Sequence, residues 1–156
     1  MRRVWQSAAG IVLFRVEDGE RRYLLVRSAL TRRPIWEFPK GGVEPGETDA
    51  QAAERELHEE AGIGEGDFAL VDGFREEERY VFTQGKGEER ALVVKRVVYF
   101  LAESRTRDVT LSHEALEYRW AGYAEAHRLL RFPGKRSVLE RAEALLAAAS
   151  TPAAAP

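Results

Sequence analysis

The sequence predicts a protein of mixed α and β structure, either an α+β fold or an α/β/α sandwich. Three observations predict it. β-type apolar runs fill the first half and the middle of the chain. A helical stretch closed by a glycine interrupts them, and two further helical stretches follow the last run. At roughly 100–200 residues per domain, 156 residues make one domain, expected over 1–149.

Ala8–Val16 reads as a strand and so does Arg21–Ser28, with Glu17-Asp18-Gly19-Glu20 as the hairpin turn between them. Ile35–Phe38 is a short aromatic strand that ends at Pro39, and the run from Lys40 to Glu47 is rich in turn residues. Thr48 or Asp49 caps the next helix, which runs to about Ala61 and stops at Gly62. Phe68–Gly73 and Phe74–Thr83 read as extended, apart from the acidic Arg75–Glu78 segment. Gln84–Glu89 is a hairpin loop, Ala91–Leu101 a Val-rich strand and Arg119–Gly122 a short strand. Ala124–Leu130 and Lys135–Ala149 are helices, and the Ala-rich residues from Ser150 to Pro156 are expected to be disordered.

Composition excludes several function classes. The apolar run Ala9–Phe14 is far short of the ~20 residues of a membrane span. A formal charge of −2 offers no bulk attraction for a nucleic-acid backbone. The absence of cysteine removes disulfides, thiolate metal sites and a cysteine nucleophile. Met1-Arg2-Arg3 leads into Val4-Trp5-Gln6-Ser7 and not into an apolar signal segment, so the expected location is cytoplasmic.

The chemistry concentrates in Gly41–Ile63. At ~100° per residue, Glu56, Glu59 and Glu60 share one face of the helix, where their charges repel. No lysine relieves them between Thr48 and Ala61. Ala52 and Ala53 are expected on the same side, leaving room for a ligand, while Leu57 and Ala61 pack on the sheet. Clustered carboxylates without His or Cys suit Mg²⁺ or Mn²⁺, which take oxygen ligands and leave room for phosphates. The Gly41-Gly42 loop allows a close backbone approach, and Arg55 can tie it to the helix through Glu47.

Gly41-x5-Glu47-x7-Arg55-Glu56-Leu57-x-Glu59-Glu60-x-Gly62-Ile63 resembles the Nudix box at every defined position. The resemblance implies the Nudix fold, an α/β/α sandwich around a mixed sheet. It also implies hydrolysis of a nucleoside diphosphate linked to another group. By that resemblance Glu56, Glu59 and Glu60 bind Mg²⁺ (or Mn²⁺) and help to activate water, with Arg55 beside them.

Outside the box, Pro39-Lys40-Gly41 is similar to Nudix members that act on long polyphosphates. Gly73-Phe74-Arg75, Tyr80, Val98–Glu103, Leu111–Glu114 and Tyr118-Arg119-Trp120 together look like the animal-type asymmetrical diadenosine tetraphosphate hydrolases. That likeness implies Glu103 as a further metal carboxylate and Tyr80 and Tyr118 as the rings that sandwich adenine. Lys40 and Lys95 would then contact phosphate beside Gly41 and Gly42. The competing reading of both tyrosines is a half-buried core position with wet hydroxyls. The expected partner is a small polyphosphate, in a monomer or homodimer. Alternatives are a diphosphoinositol or broader nucleoside polyphosphate hydrolase, or a ligand-sensing Nudix module. The Thr83–Arg90 loop and Ile35 depart from the subfamily pattern and are expected near the substrate cleft.

Overall fold

The computed structural model describes residues 1–29 and 32–150. Its strands are β1 (Arg2–Glu17), β2 (Glu20–Ser28), β3 (Trp36–Glu37), β4 (Lys40–Gly42), β5 (Phe68–Leu70), β6 (Glu76–Gln84), β7 (Ala91–Ser104) and β8 (Ala115–Gly122). Its helices are α1 (Asp49–Ala61), α2 (Tyr123–Leu129) and α3 (Pro133–Ser150). The strands form a mixed sheet in the order β3-β2-β1-β7-β5, with β4 added on β1, β6 on β7 and β8 on β2. β1 and β7 run parallel from Arg2 opposite Ala91 to Phe14 opposite Glu103, and the other pairs are antiparallel.

Each face of the sheet carries one apolar cluster. Ala9, Ile11, Leu13 and Leu24 pack under Ala52, Ala53, Leu57 and Ala61 of α1. Val12, Tyr23, Leu25 and Leu101 pack against Val138, Leu139, Ala142 and Leu146 of α3. The fold is therefore the expected three-layer α/β/α sandwich. Ala52 and Ala53 are fully buried in the α1 interface, so they belong with Leu57 on the sheet and leave no space for a ligand.

Three other expectations change. β1 begins at Arg2 because the polar Arg2–Ser7 stretch pairs along β7, a long-range contact that local patterning does not show. The acidic Glu76–Glu78 stretch lies inside β6, held by its ladder with Val97, Val98 and Tyr99. α3 continues helical through Ser150, while the disorder expected for 151–156 lies outside the described residues.

Local chemistry fixes α1. The Thr48 side chain accepts from Gln51 N–H at 3.1 Å, and Gln51 accepts from Thr48 N–H at 2.9 Å. This capping box satisfies two backbone donors that the first turn leaves free. At the other end Gly62 adopts φ 70°, the left-handed conformation that ends a helix cheaply only at glycine. The backbone N–H groups of Thr110 and Ser112 donate to the carbonyls of Ala61 and Glu60. The 105–114 segment is thereby pinned against the end of α1.

Candidate active site

Arg55 organises the loop and helix of the box. Its Nε and Nη2 donate to the two Glu47 oxygens at 2.7 and 3.0 Å, and Nη2 also donates to the Gly42 carbonyl at 2.8 Å. Nη1 donates to Glu56 at 2.9 Å and Glu59 at 3.1 Å. Gly41 leaves room for the Glu56 carboxylate, because a Cβ there would lie 2.0 Å from its carboxyl carbon and push that side chain aside. Glu60 accepts from the backbone N–H of Lys40 at 3.2 Å, which joins the helix to β4.

Two clefts meet at this point. The first, of about 280 Å³, is lined by Glu56, Glu60, Glu37 and Glu114 together with Gly41 and Gly42. The second, of about 660 Å³, is lined by Tyr80, Phe82, Phe132 and Lys135. Lys40, Lys95, Glu37 and Ser28 line both. Tyr80 lies opposite Lys95 in the β6–β7 ladder, so one cross-strand pair supplies an aromatic face and a cation to neighbouring parts of the groove.

Charge is unevenly balanced there. Burial, with Glu37 and Glu56 nearby, pushes the Glu60 carboxyl up to about 8. Burial also raises Glu56 against the pull of Arg55, with Glu59 and Glu114 adding to the rise. Burial alone would lower the Lys40 ammonium, but Glu37, 3.5 Å away, and Glu60 hold it above its usual value. Lys95 is lowered by burial and by Lys40.

An all-oxygen donor set with excess negative charge at its centre fits a hard divalent cation. Among the described residues no three of these groups surround one point at coordination distance as they stand. Arg55 draws Glu56 and Glu59 to itself, and the Lys40 N–H holds Glu60.

The predicted set is divided by the fold. Lys40, Gly41, Gly42, Glu56, Glu60 and Lys95 come together in the first cleft, and Tyr80 stands in the second. Glu59 stays on the outer side of α1 with its side chain 55% exposed, bound to Arg55. Glu103 does not join them. It lies beyond Lys95 on the same strand, roughly 26 Å along it at ~3.3 Å per residue. There it shares a separate pocket with Arg15, Arg105 and Arg107.

Tyr118 is also displaced. It lies opposite Val26 in the β2–β8 ladder, two residues from Trp120, which packs with Leu24 on the α1 face. Tyr80 packs on the α3 face with Tyr99 and Leu25. Side chains alternate across a strand, so Tyr118 and Tyr80 leave opposite faces of the sheet, and Tyr118 stands beside Val26 of the first cleft and outside the aromatic slot that holds Tyr80.

A NUDIX domain family model matches residues 4–142 of the chain. The chain belongs to the Nudix family. The asymmetrical bis(5'-nucleosyl)-tetraphosphatase of Sus scrofa is 37% identical to this Nudix chain over 147 residues, 89% of this chain and 94% of its own length. The Caenorhabditis elegans enzyme of the same name is 33% identical over 142 residues, 90% of this chain and 96% of its own length. A crystal structure of a C. elegans Ap4A hydrolase binary complex superimposes with a TM-score of 0.80 at 33% identity, covering 92% of this chain and 98% of that one.

Sequence reasoning missed several lining residues of this Nudix chain, among them Glu114, Glu37 and Phe132. Glu114 reaches the Glu56 cleft because the pinned 105–114 segment leads into β8 there, and Ala29 N–H holds its carbonyl at 2.9 Å. It stands in the Leu111–Glu114 run already noted, so the signal was available. Glu37 was hidden as one polar residue in an aromatic strand. Phe132 precedes α3, and only the long-range packing of that helix on β6 brings it to Tyr80. The Gln84–Glu89 hairpin tip, expected beside the cleft, lines a different pocket with Arg2 and Val4, whereas Ile35 does line the aromatic cleft. No helix among the described residues is long and apolar enough to cross a membrane.

Proposed function

We propose that this chain hydrolyses dinucleoside tetraphosphates, converting diadenosine tetraphosphate and water to ATP and AMP. The observation that carries the reading is the junction of the two clefts. A carboxylate cleft and an aromatic slot share Lys40 and Lys95, so a polyphosphate can run from one to the other over two cations. An inositol ring has no π face and would gain little from Tyr80, Phe82 and Phe132. The names of the Sus scrofa and C. elegans relatives support the same substrate class.

Glu56, Glu59 and Glu60 would hold Mg²⁺ or Mn²⁺, with Glu114 as a further carboxylate at the same cleft. When bound, such ions neutralise charge developing on phosphoryl oxygens and favour ionisation of water. Arg55 keeps the Glu47 loop against the helix and sets the outward reach of Glu56 and Glu59. Lys40 and Lys95 orient the phosphate chain, and Tyr80 and Phe132 hold one base. Water adds to the phosphorus of one adenylate, the bond to its bridging oxygen breaks, and ATP departs. A small nucleotide in the cytoplasm is the partner this reading requires.

The test is product analysis of diadenosine tetraphosphate with Mg²⁺, Mn²⁺ or EDTA. Equal ATP and AMP that vanish with EDTA support the proposal. Two ADP molecules, or turnover unaffected by EDTA, would reject it.

A further inference from the structure

Glu37 is a carboxylate at a place where a phosphate chain calls for cations. It lines the Glu56 cleft and the Tyr80 slot alike, and among the described residues no other acidic residue lines both. Pairing with Val26 in the β2–β3 ladder fixes its backbone, and its side chain is only 13% exposed. Lys40 Nζ stands 3.5 Å from its Oε2. Burial is the first cause that raises both Glu60 and Tyr80, and the Glu37 charge adds to both. The carboxylate therefore sits between the acids of α1 on one side and the Tyr80 ring on the other.

The neighbouring acids are engaged elsewhere. Glu56 and Glu59 accept from Arg55, and Glu60 accepts from the Lys40 N–H. Glu78, the other acid of the slot, is buried 3.6 Å from Lys135 and accepts from the Tyr99 hydroxyl at 3.4 Å. Lys40 meets Glu37 at Oε2, whereas an ionised carboxylate has about four acceptor sites and no donor. Capacity for donors from a ligand remains. Buried Ser28, whose hydroxyl can donate or accept, lines the same junction. A phosphate brought against Glu37 would meet like charge, but a neutral hydroxyl pair would not. A nucleotide runs from base through ribose to phosphate. With its base toward Tyr80 and its phosphates over Lys40 and Lys95 toward Glu56, the ribose passes Glu37. The 2′ and 3′ hydroxyls are adjacent donors that a single carboxylate can accept.

We propose that Glu37 binds the ribose hydroxyls and makes the enzyme select ribonucleotides over 2′-deoxyribonucleotides. A deoxy substrate leaves a largely buried carboxylate short of a partner, and a site built to bind a hydroxyl rejects the analogue that lacks it. The inference rests on the proposed hydrolysis of dinucleoside tetraphosphates and names the sugar that this site requires.

The experiment compares kcat/KM for diadenosine tetraphosphate and bis(2′-deoxyadenosine) tetraphosphate with Mg²⁺. The analogue lacks the 2′ hydroxyl at both ends, so either binding direction tests the contact. The wild-type ratio should favour the ribonucleotide by roughly 10- to 150-fold, the worth of one hydrogen bond to a charged group. Glu37→Leu removes the acceptor, and its ratio should fall to near one. Glu37→Asp keeps the charge and should retain part of the preference. A carboxylate that only positions Lys40, or only serves the metal, would lower both substrates alike and leave the ratio unmoved. A wild-type ratio near one overturns the inference, whether or not the variants fold. So does an unchanged ratio in Glu37→Leu with a normal Tm. A wild type that hydrolyses neither compound overturns the hydrolase reading itself, and this inference with it.

Discussion

The Arg55 guanidinium and the Glu47 carboxylate form a two-point pair, Nε to Oε2 at 2.7 Å and Nη2 to Oε1 at 3.0 Å. The pair spans the loop that carries Gly41 and Gly42, and the same guanidinium touches Glu56 and Glu59. Glu47 is held below the usual carboxylate range chiefly by its hydrogen bond from Arg55. Loop position and carboxylate geometry therefore depend on one planar, five-donor side chain. Lysine cannot reproduce that fork. Arg55→Lys should keep the fold and lower kcat by about tenfold or more, ~1.4 kcal/mol. Steady-state kinetics beside a melting curve check it, and an unchanged kcat would remove Arg55 from the machinery.

The carboxylates should not be equivalent. Glu56 and Glu60 line the cleft, whereas Glu59 is turned toward solvent and Arg55. Glu56→Gln keeps a good helix former and should reduce kcat more than tenfold with little change in Tm. Retention of more than about a tenth of wild-type kcat would contradict the assigned role.

Base stacking is worth ~1–3 kcal/mol, so loss of one ring should raise KM about 5- to 150-fold. Phe132→Ala is the cleaner probe, because that ring is half exposed and its removal opens no cavity in the core. Tyr80→Phe should be mild and Tyr80→Ala severe. Tyr118→Ala should leave KM for diadenosine tetraphosphate unchanged, since Tyr118 is on the other face of the sheet. A rise in KM for Tyr118→Ala equal to that for Phe132→Ala would reverse the assignment.

The different legibility of these residues has a physical basis. The box was readable because capping, helical spacing and a glycine-stopped end act within one turn or two of the chain, from Thr48 to Gly62. The face of Tyr118 was not, because it depends on the register of β8 on β2, which side-chain alternation within the short Arg119–Gly122 run cannot fix. Glu103 looked like a site residue by likeness in order along the chain, but the length of β7 carries it out of reach. Phe132 and Glu37 became site residues only through contacts between elements distant in sequence.

Stability should show one identifiable acid-sensitive contact. Arg21 donates to Glu143 through Nε and Nη2 at 3.1 and 2.9 Å, and the Tyr23 hydroxyl donates to the same carboxylate. Burial would raise Glu143, but the Arg21 and Tyr23 hydrogen bonds outweigh it and hold the group below its ordinary value of 4.5. The folded state therefore binds this proton less readily than the unfolded state. Its contribution is present above pH 4.5 and is lost as the pH falls through the lower folded value. Glu143→Gln should cost about 1 kcal/mol at pH 7, or about 2–4 °C in Tm for a chain of this size. The gap should close as the pH falls below the folded value, and a constant gap from pH 7 to pH 3 would contradict the account.

The most direct test of the central claim is hydrolysis of diadenosine tetraphosphate in ¹⁸O-labelled water, with the products separated and weighed by mass spectrometry. Water attack at the phosphorus of one adenylate places one ¹⁸O in AMP and leaves ATP unlabelled. Label in ATP alone, or two ADP products, would contradict it.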